Sequence, residues 1–201
     1  MREIVGYVWK ALPALALGAA LYGCFLPLRQ RRLAGRGLES GTAREVWLAA
    51  FVMFVAALLW LTVVPRVRLV DGRPTLLPGG YGLINLKPFL IFKQSRILAT
   101  QGYQHYFLIN FWGNIGMFLP IGFFPALLWR GWKWWKSLLC GFGLSLFIEL
   151  AQIPIQRGTD IDDLWLNTLG AALGYLLYWL LKTIWPAVGT KCKCREVERH
   201  G

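Results

Sequence analysis

Glu149-Leu150-Ala151-Gln152-Ile153-Pro154-Ile155-Gln156-Arg157-Gly158-Thr159-Asp160-Ile161-Asp162-Asp163-Leu164-Trp165-Leu166-Asn167 joins two long apolar runs and sets polar side chains into both, with three acids at the entrance to the second. Upstream, the run from Ser137 to Ile155 carries Glu149 and Gln152. Downstream, the run from Leu164 to Trp185 carries Asn167. Each run is about 19 residues or more, enough to cross a hydrocarbon layer roughly 30 Å thick. An acid near the middle of such a helix costs about 2.5–3.5 kcal/mol, so a stable protein keeps one for a reason. The usual reason is a polar site between helices.

Three further runs of spanning length lie outside this stretch: Val5 to Leu28, Val46 to Val64 and Tyr106 to Trp129. A helix satisfies its own backbone in lipid without closing a barrel. The fold class is therefore all-α, a multi-pass integral membrane helical bundle with five transmembrane helices. A hydrophobic fraction of 56% supports this reading. Residues 1–45 hold the first helix and a basic cytoplasmic loop, 46–185 the main membrane domain, and 186–201 a basic tail. Lys10 and Pro13 inside the first run, and no small-residue cleavage site, argue against a removable signal peptide.

The net charge of +12 does not point to nucleic acid, because the basic residues flank the apolar runs. The segments 29–45 and 130–136, with the tail from Lys182, hold 13 Lys and Arg in 44 residues. The opposite side holds eight in 52. That bias predicts an outer N-terminus and a cytoplasmic C-terminus. The turn Trp129-Arg130-Gly131-Trp132-Lys133-Trp134-Trp135-Lys136 reads as an interfacial aromatic belt rather than a single-stranded nucleic-acid platform. Cys24 and Cys140 lie within helices. Cys192 and Cys194 lie on a tail expected to be solvated, and a lone Cys-x-Cys lacks the second pair that a zinc site needs.

The 65–104 connection is long and not of low complexity. Pro78-Gly79-Gly80 signals a turn. The apolar stretch from Gly82 to Phe92, with Asn85, Pro88 and Phe89, is too short to span and reads equally as an interfacial or re-entrant segment or as a loop packed on the helix ends. Asn110 and Asn114 share a helix face, as do Ser145, Glu149 and Gln152, and Asp163 and Asn167. Taken one at a time, paired amides read as interhelical glue and first-turn acids as helix capping. Under the expected topology, however, Asn110, Asn114, Glu149, Gln152, Asp163 and Asn167 all fall in the outer half of the membrane, with Arg157 and the 85–89 segment on that same side. Gly170-Ala171-Ala172-Leu173-Gly174 predicts a close packing face beside them.

Asn85-Leu86-Lys87-Pro88-Phe89, Asn114-Ile115-Gly116-Met117-Phe118-Leu119-Pro120-Ile121-Gly122, Glu149-Leu150-Ala151-Gln152 and Arg157 to Gly170 resemble, in this order, the VanZ-like membrane proteins. The likeness spans about residues 46 to 182, and the last motif is the most specific. It implies a small multi-pass protein of the bacterial cytoplasmic membrane. The founding member is associated with lowered susceptibility to the glycopeptide teicoplanin. No chemistry comes with the resemblance.

The residues lead to a non-enzymatic membrane protein that binds membrane lipids or a lipid-linked envelope precursor, and the resemblance adds a lipoglycopeptide as ligand and a role in teicoplanin susceptibility. Asn85, Pro88, Phe89, Asn110, Asn114, Glu149, Gln152, Arg157, Asp160, Asp162, Asp163 and Asn167 would line the pocket. No cofactor, resident metal or nucleic acid is assigned, and homo-oligomerisation is left open. One alternative is an enzyme on a lipid-linked substrate, with Asp160, Asp162 and Asp163 as acid/base groups or oxygen ligands of a divalent cation. No nucleophile with an adjacent base supports it. Another is a structural assembly factor whose acids lock helices.

Overall fold

The computed structural model describes residues 2–70, 73–77, 84–100, 105–155 and 157–196. In chain order these form α1 (Arg2–Ala34), β1 (Leu38–Glu39), α2 (Thr42–Val63), β2 (Arg66–Val70), β3 (Arg73–Leu77), β4 (Ile84–Asn85) and α3 (Leu90–Thr100). There follow α4 (His105–Leu128), α5 (Trp134–Gln152), β5 (Thr159–Asp160), α6 (Ile161–Ile184), α7 (Val188–Lys191) and β6 (Arg195–Glu196). Among the described residues, five helices are long and apolar enough to cross a membrane: α1, α2, α4, α5 and α6. The all-α, five-span expectation holds.

Helix ends depart from the predicted runs where polar chemistry overrides hydropathy. α1 continues six residues past Leu28, because Arg29–Ala34 contains no breaker. It stops where Gly35 N–H bonds Arg31 O at 3.0 Å and Gly37 takes φ 66. α5 ends at Gln152, two residues before Pro154. α6 begins at Ile161, three residues before the predicted run, because Asp160 caps it.

Among the described residues, three small two-stranded sheets accompany the helices. β2 and β3 form an antiparallel hairpin with Arg66 opposite Leu77. The sequence reading passed over its signal, an Asp71-Gly72 pair between extended runs. The turn at Pro78-Gly79-Gly80, the residues up to Leu83, the His200 end of the tail, and the side chains of Lys10 and His105 lie outside the described residues.

The chain divides into two compact units. The first comprises Met1–Leu61, Phe123–Trp134 and Tyr175–Gly201. Within it, small residues let α1 and α2 pack closely: Ala11, Ala14 and Ala57 are buried, and a Cβ at Gly18 would meet Met53 and Ala56. A second core joins Ala126 and Leu127 to Tyr178 and Cys192. The expectation of a solvated tail is therefore corrected as far as residue 196. Cys192 is buried, Lys193 donates to the Tyr178 hydroxyl at 3.1 Å, and β6 pairs antiparallel with β1.

The second unit comprises Thr62–Gly122 and Trp135–Gly174. Its helices are joined through glycine. A Cβ on Gly122 would run into the Ala171 carbonyl, one on Gly170 into the Ile115 carbonyl, and one on Gly141 into the Ala171 methyl. α4 and α6 thus meet backbone to backbone, and α5 meets α6 through the Ala171 methyl, the close packing that the Gly170–Gly174 face predicted. Beside this contact Ile91, Ile115 and Leu166 form the apolar core, with Phe111 and Trp165 packed against it.

Candidate functional site

Every helix ends with backbone groups that its own turns cannot satisfy. In the second unit, four of the polar residues picked out from the sequence, Gln152, Arg157, Asp160 and Asp162, serve those ends. Asp160 precedes α6, and its Oδ1 accepts the Asp162 N–H at 2.9 Å, as an N-cap should. The same oxygen accepts Asn85 Nδ2 at 2.8 Å. Asn85 Oδ1 in turn accepts the Lys87 N–H at 3.0 Å and closes a local turn. The parallel pairing of β4 with β5 sets Asn85 beside Asp160.

Asp162 reaches away from its own helix to cap another. Its Oδ1 accepts the Phe89 N–H at 2.6 Å and the Trp165 indole N–H at 2.9 Å, and its Oδ2 accepts the Ile91 N–H at 2.7 Å. At 1% exposure this carboxylate is removed from water, and its binding comes from the first turn of α3. Pro88 precedes that turn and is exposed. Phe89 has φ 63, a left-handed conformation that costs a bulky residue about 1–2 kcal/mol. The Asp162 bond and ring contact with Trp165 at 5.6 Å hold it there.

Around this corner lie the remaining groups. Glu149, 6% exposed, accepts the Asp160 N–H at 3.0 Å through Oε2. Asn114 donates from α4 to Asp163 on α6. Asn167 donates to Ser145 Oγ at 2.9 Å, while its own Oδ1 is buried without a hydrogen-bond partner. Gln152 Nε2 at 3.1 Å and Arg157 Nη1 at 2.6 Å both donate to the Thr62 carbonyl, in the last turn of α2. Asn110 is half-buried one turn before Asn114, outside the hydrogen bonds that link the others.

The structure therefore brings Asn85, Asn114, Glu149, Asp160, Asp162 and Asp163 into one hydrogen-bonded corner of the second unit. Gln152 and Arg157 sit at the end of α2. Sequence reasoning missed Thr62, which acts through a backbone carbonyl and leaves no residue signal. It also missed Trp165, whose indole N–H and ring both serve the corner. The Asp162 carboxylate is committed to three N–H donors, which leaves Glu149, Asp160 and Asp163 as the acids best able to meet a ligand. Exposed Leu86, Phe89 and Phe92 lie on the segment that carries Asn85, and Phe92 stacks on Trp165 at 6.4 Å.

Five apolar spans with a polar, helix-capping corner in one unit define a multi-pass α-helical membrane protein. The VanZ/LLP1 family model matches residues 51–182, and the chain belongs to that family. No curated protein and no solved structure matches it.

Proposed function

We propose that this chain is a non-enzymatic protein of the bacterial cytoplasmic membrane that binds an envelope lipid, a wall precursor or the lipid portion of a glycopeptide at the acidic corner of its second unit. In doing so it would modulate susceptibility to glycopeptides such as teicoplanin. The observation carrying this reading is the concentration of Glu149, Asp160 and Asp163 with two amides beside the exposed apolar surface of Leu86, Phe89 and Phe92. Carboxylates and amide oxygens accept hydrogen bonds, so they suit a headgroup rich in hydroxyls or carrying an ammonium. The aromatic surface suits its hydrocarbon.

A structural reading is favoured by Asp162, whose oxygens go to the start of α3 and to Trp165. On that reading the corner locks helices and binds nothing. Native mass spectrometry of purified protein with membrane lipids, comparing wild type with Glu149→Gln, separates the two. A lipid or precursor adduct kept by wild type and lost by the folded variant supports binding. The absence of a specific adduct in both, with helix content unchanged, supports the lock. Metal-dependent conversion of a lipid substrate would replace both readings with an enzymatic one.

A further inference from the structure

At 11 residues, α3 is too short to span. Its first turn is tied to Asp162, the second residue of α6, and the four residues 101–104 part its end at Thr100 from the start of α4 at His105. Both ends of α3 therefore lie at one end of the spanning helices, and α3 runs across them rather than along them. Its buried residue Ile91 packs with Ile115 and Leu166. These stand seven residues into the α4 span and five into that of α6, which at a rise of 1.5 Å per residue is about 7–10 Å from the span ends. An amphipathic helix in a membrane interface buries its apolar face to a similar depth, roughly 5–10 Å.

The opposite face of α3 is basic. Lys93 and Arg96, two and five residues after Ile91, fall on the far side of the helix and are exposed. Lys87, ahead of the helix, is exposed as well. From Ile84 to Thr100 the chain carries these three cations and no acid. Among the described residues the ion pairs involve none of them. Around the helix the order is Phe92, Arg96, Lys93, Ile97, so two exposed apolar side chains flank the two cations. Apolar groups so placed belong in hydrocarbon, and a cation between them reaches the headgroups on its long stem. Membrane topology does not call for these cations. Basic residues collect in cytoplasmic loops, and by the charge bias of the loops α3 lies on the outer side.

We propose that this face of α3 binds anionic phospholipid headgroups of the leaflet in which it lies, with Lys93 and Arg96 on the phosphates and Phe92 and Ile97 among the acyl chains. The flanking apolar side chains select a lipid over free phosphate. Cations without a compensating acid select a net negative headgroup over a zwitterionic one. Neither Lys93 nor Arg96 takes part in the acidic corner, so the contact stands or falls separately from a ligand there.

The test is amide hydrogen exchange of the purified full-length protein in nanodiscs of phosphatidylcholine, alone or with equimolar phosphatidylglycerol. A helix held by headgroups opens less often. With phosphatidylglycerol the amides of α3 should exchange roughly tenfold more slowly, the order that two basic side chains at an anionic surface supply. The amides of α5 should exchange alike in both discs. Lys93→Gln combined with Arg96→Gln changes exposed positions, leaves Ile91 in place and should abolish the difference. Arg31→Gln combined with Arg32→Gln, exposed near the end of α1, should keep it. Inorganic phosphate added to phosphatidylcholine discs should not reproduce it. Equal exchange of α3 in both discs, the same slowing in α5, or protection kept by the folded Lys93 and Arg96 double variant would overturn the proposal. So would its loss in the Arg31 and Arg32 variant, or protection by inorganic phosphate alone.

Discussion

Asp162 shows how much one side chain can hold. Replacing it with alanine strips the acceptor from two backbone N–H groups at the start of α3 and from the Trp165 indole. Each orphaned buried donor costs about 1–3 kcal/mol, so Asp162→Ala should lose about 3 kcal/mol or more. Asp162→Asn keeps one acceptor oxygen and should lose about half as much. Glu149→Gln still offers an oxygen to the Asp160 N–H and should lose about 1 kcal/mol. Thermal unfolding of the detergent-solubilised protein gives the order. If Glu149→Gln proved as damaging as Asp162→Ala, the capping role assigned to Asp162 would fail. The residue scale was partly legible beforehand. Spacing put Asn114, Glu149 and Asp163 on polar stripes, and first-turn acids suggested capping. That Asp162 caps α3 rather than its own helix depends on β4 lying against β5, a pairing of two residues from distant segments that no local pattern encodes.

Elements meet here through glycine, and the glycines divide into two kinds. Gly122 and Gly170 face the backbone of a neighbouring helix, whereas a Cβ on Gly143 would meet nothing within 4 Å. Gly122→Ala and Gly170→Ala should each destabilise by about 1–3 kcal/mol or more, since backbone cannot move aside as a side chain does. Gly143→Ala should be neutral or stabilising by up to about 1 kcal/mol, the helix preference of alanine over glycine. Loss of stability in all three, or in none, on unfolding in a denaturant series would mean that α4 and α6 do not meet at these points. The five spans were legible from run length alone, since an apolar run of that size has few other solutions. Their ends were not. The six residues by which α1 outlasts its apolar run carry Arg29, Gln30, Arg31 and Arg32, polar but good helix formers. The docking of the tail was hidden as well, because Cys192 finds its partners at Ala126, Leu127 and Tyr178, distant in sequence.

At the scale of the whole molecule, the four cysteines report on both membrane placement and packing. Cys24 and Cys140 lie on the exposed faces of spanning helices, where lipid shields them. Cys194 is partly exposed beyond the last span, and Cys192 is buried. Burial pushes the Cys192 thiol above its usual range, against a smaller lowering pull from Lys193. The thiolate is the reactive form, so Cys192 should alkylate more slowly than Cys194 and gain rate only as the medium becomes more alkaline. With the C-terminus in the cytoplasm, an impermeant maleimide should label neither in intact cells and Cys194 first after permeabilisation. Labelling of intact cells would reverse the orientation inferred from Lys and Arg, and Cys192 labelled as fast as Cys194 would undo the buried tail. The orientation rests on a charge ratio of about two to one, to which the connection between the second and third spans contributes basic residues on the minority side.

The pairing of β1 with β6 has a consequence for how the protein is made. Glu39 leaves the ribosome long before its strand partner Arg195, with the 62–122 and 135–174 segments made in between. The unit that contains Thr62–Gly122 and Trp135–Gly174 has all its residues once synthesis passes Gly174. The unit that contains Glu39 must wait for the segment that carries Arg195. Vectorial synthesis, which ordinarily lets N-terminal domains fold first, is inverted here. During translation the open partner of β1 and the bare surface of Ala126 and Leu127 stand exposed, and a ribosome stalled short of Cys192 would release a chain with its later-encoded half complete and its earlier half unfinished.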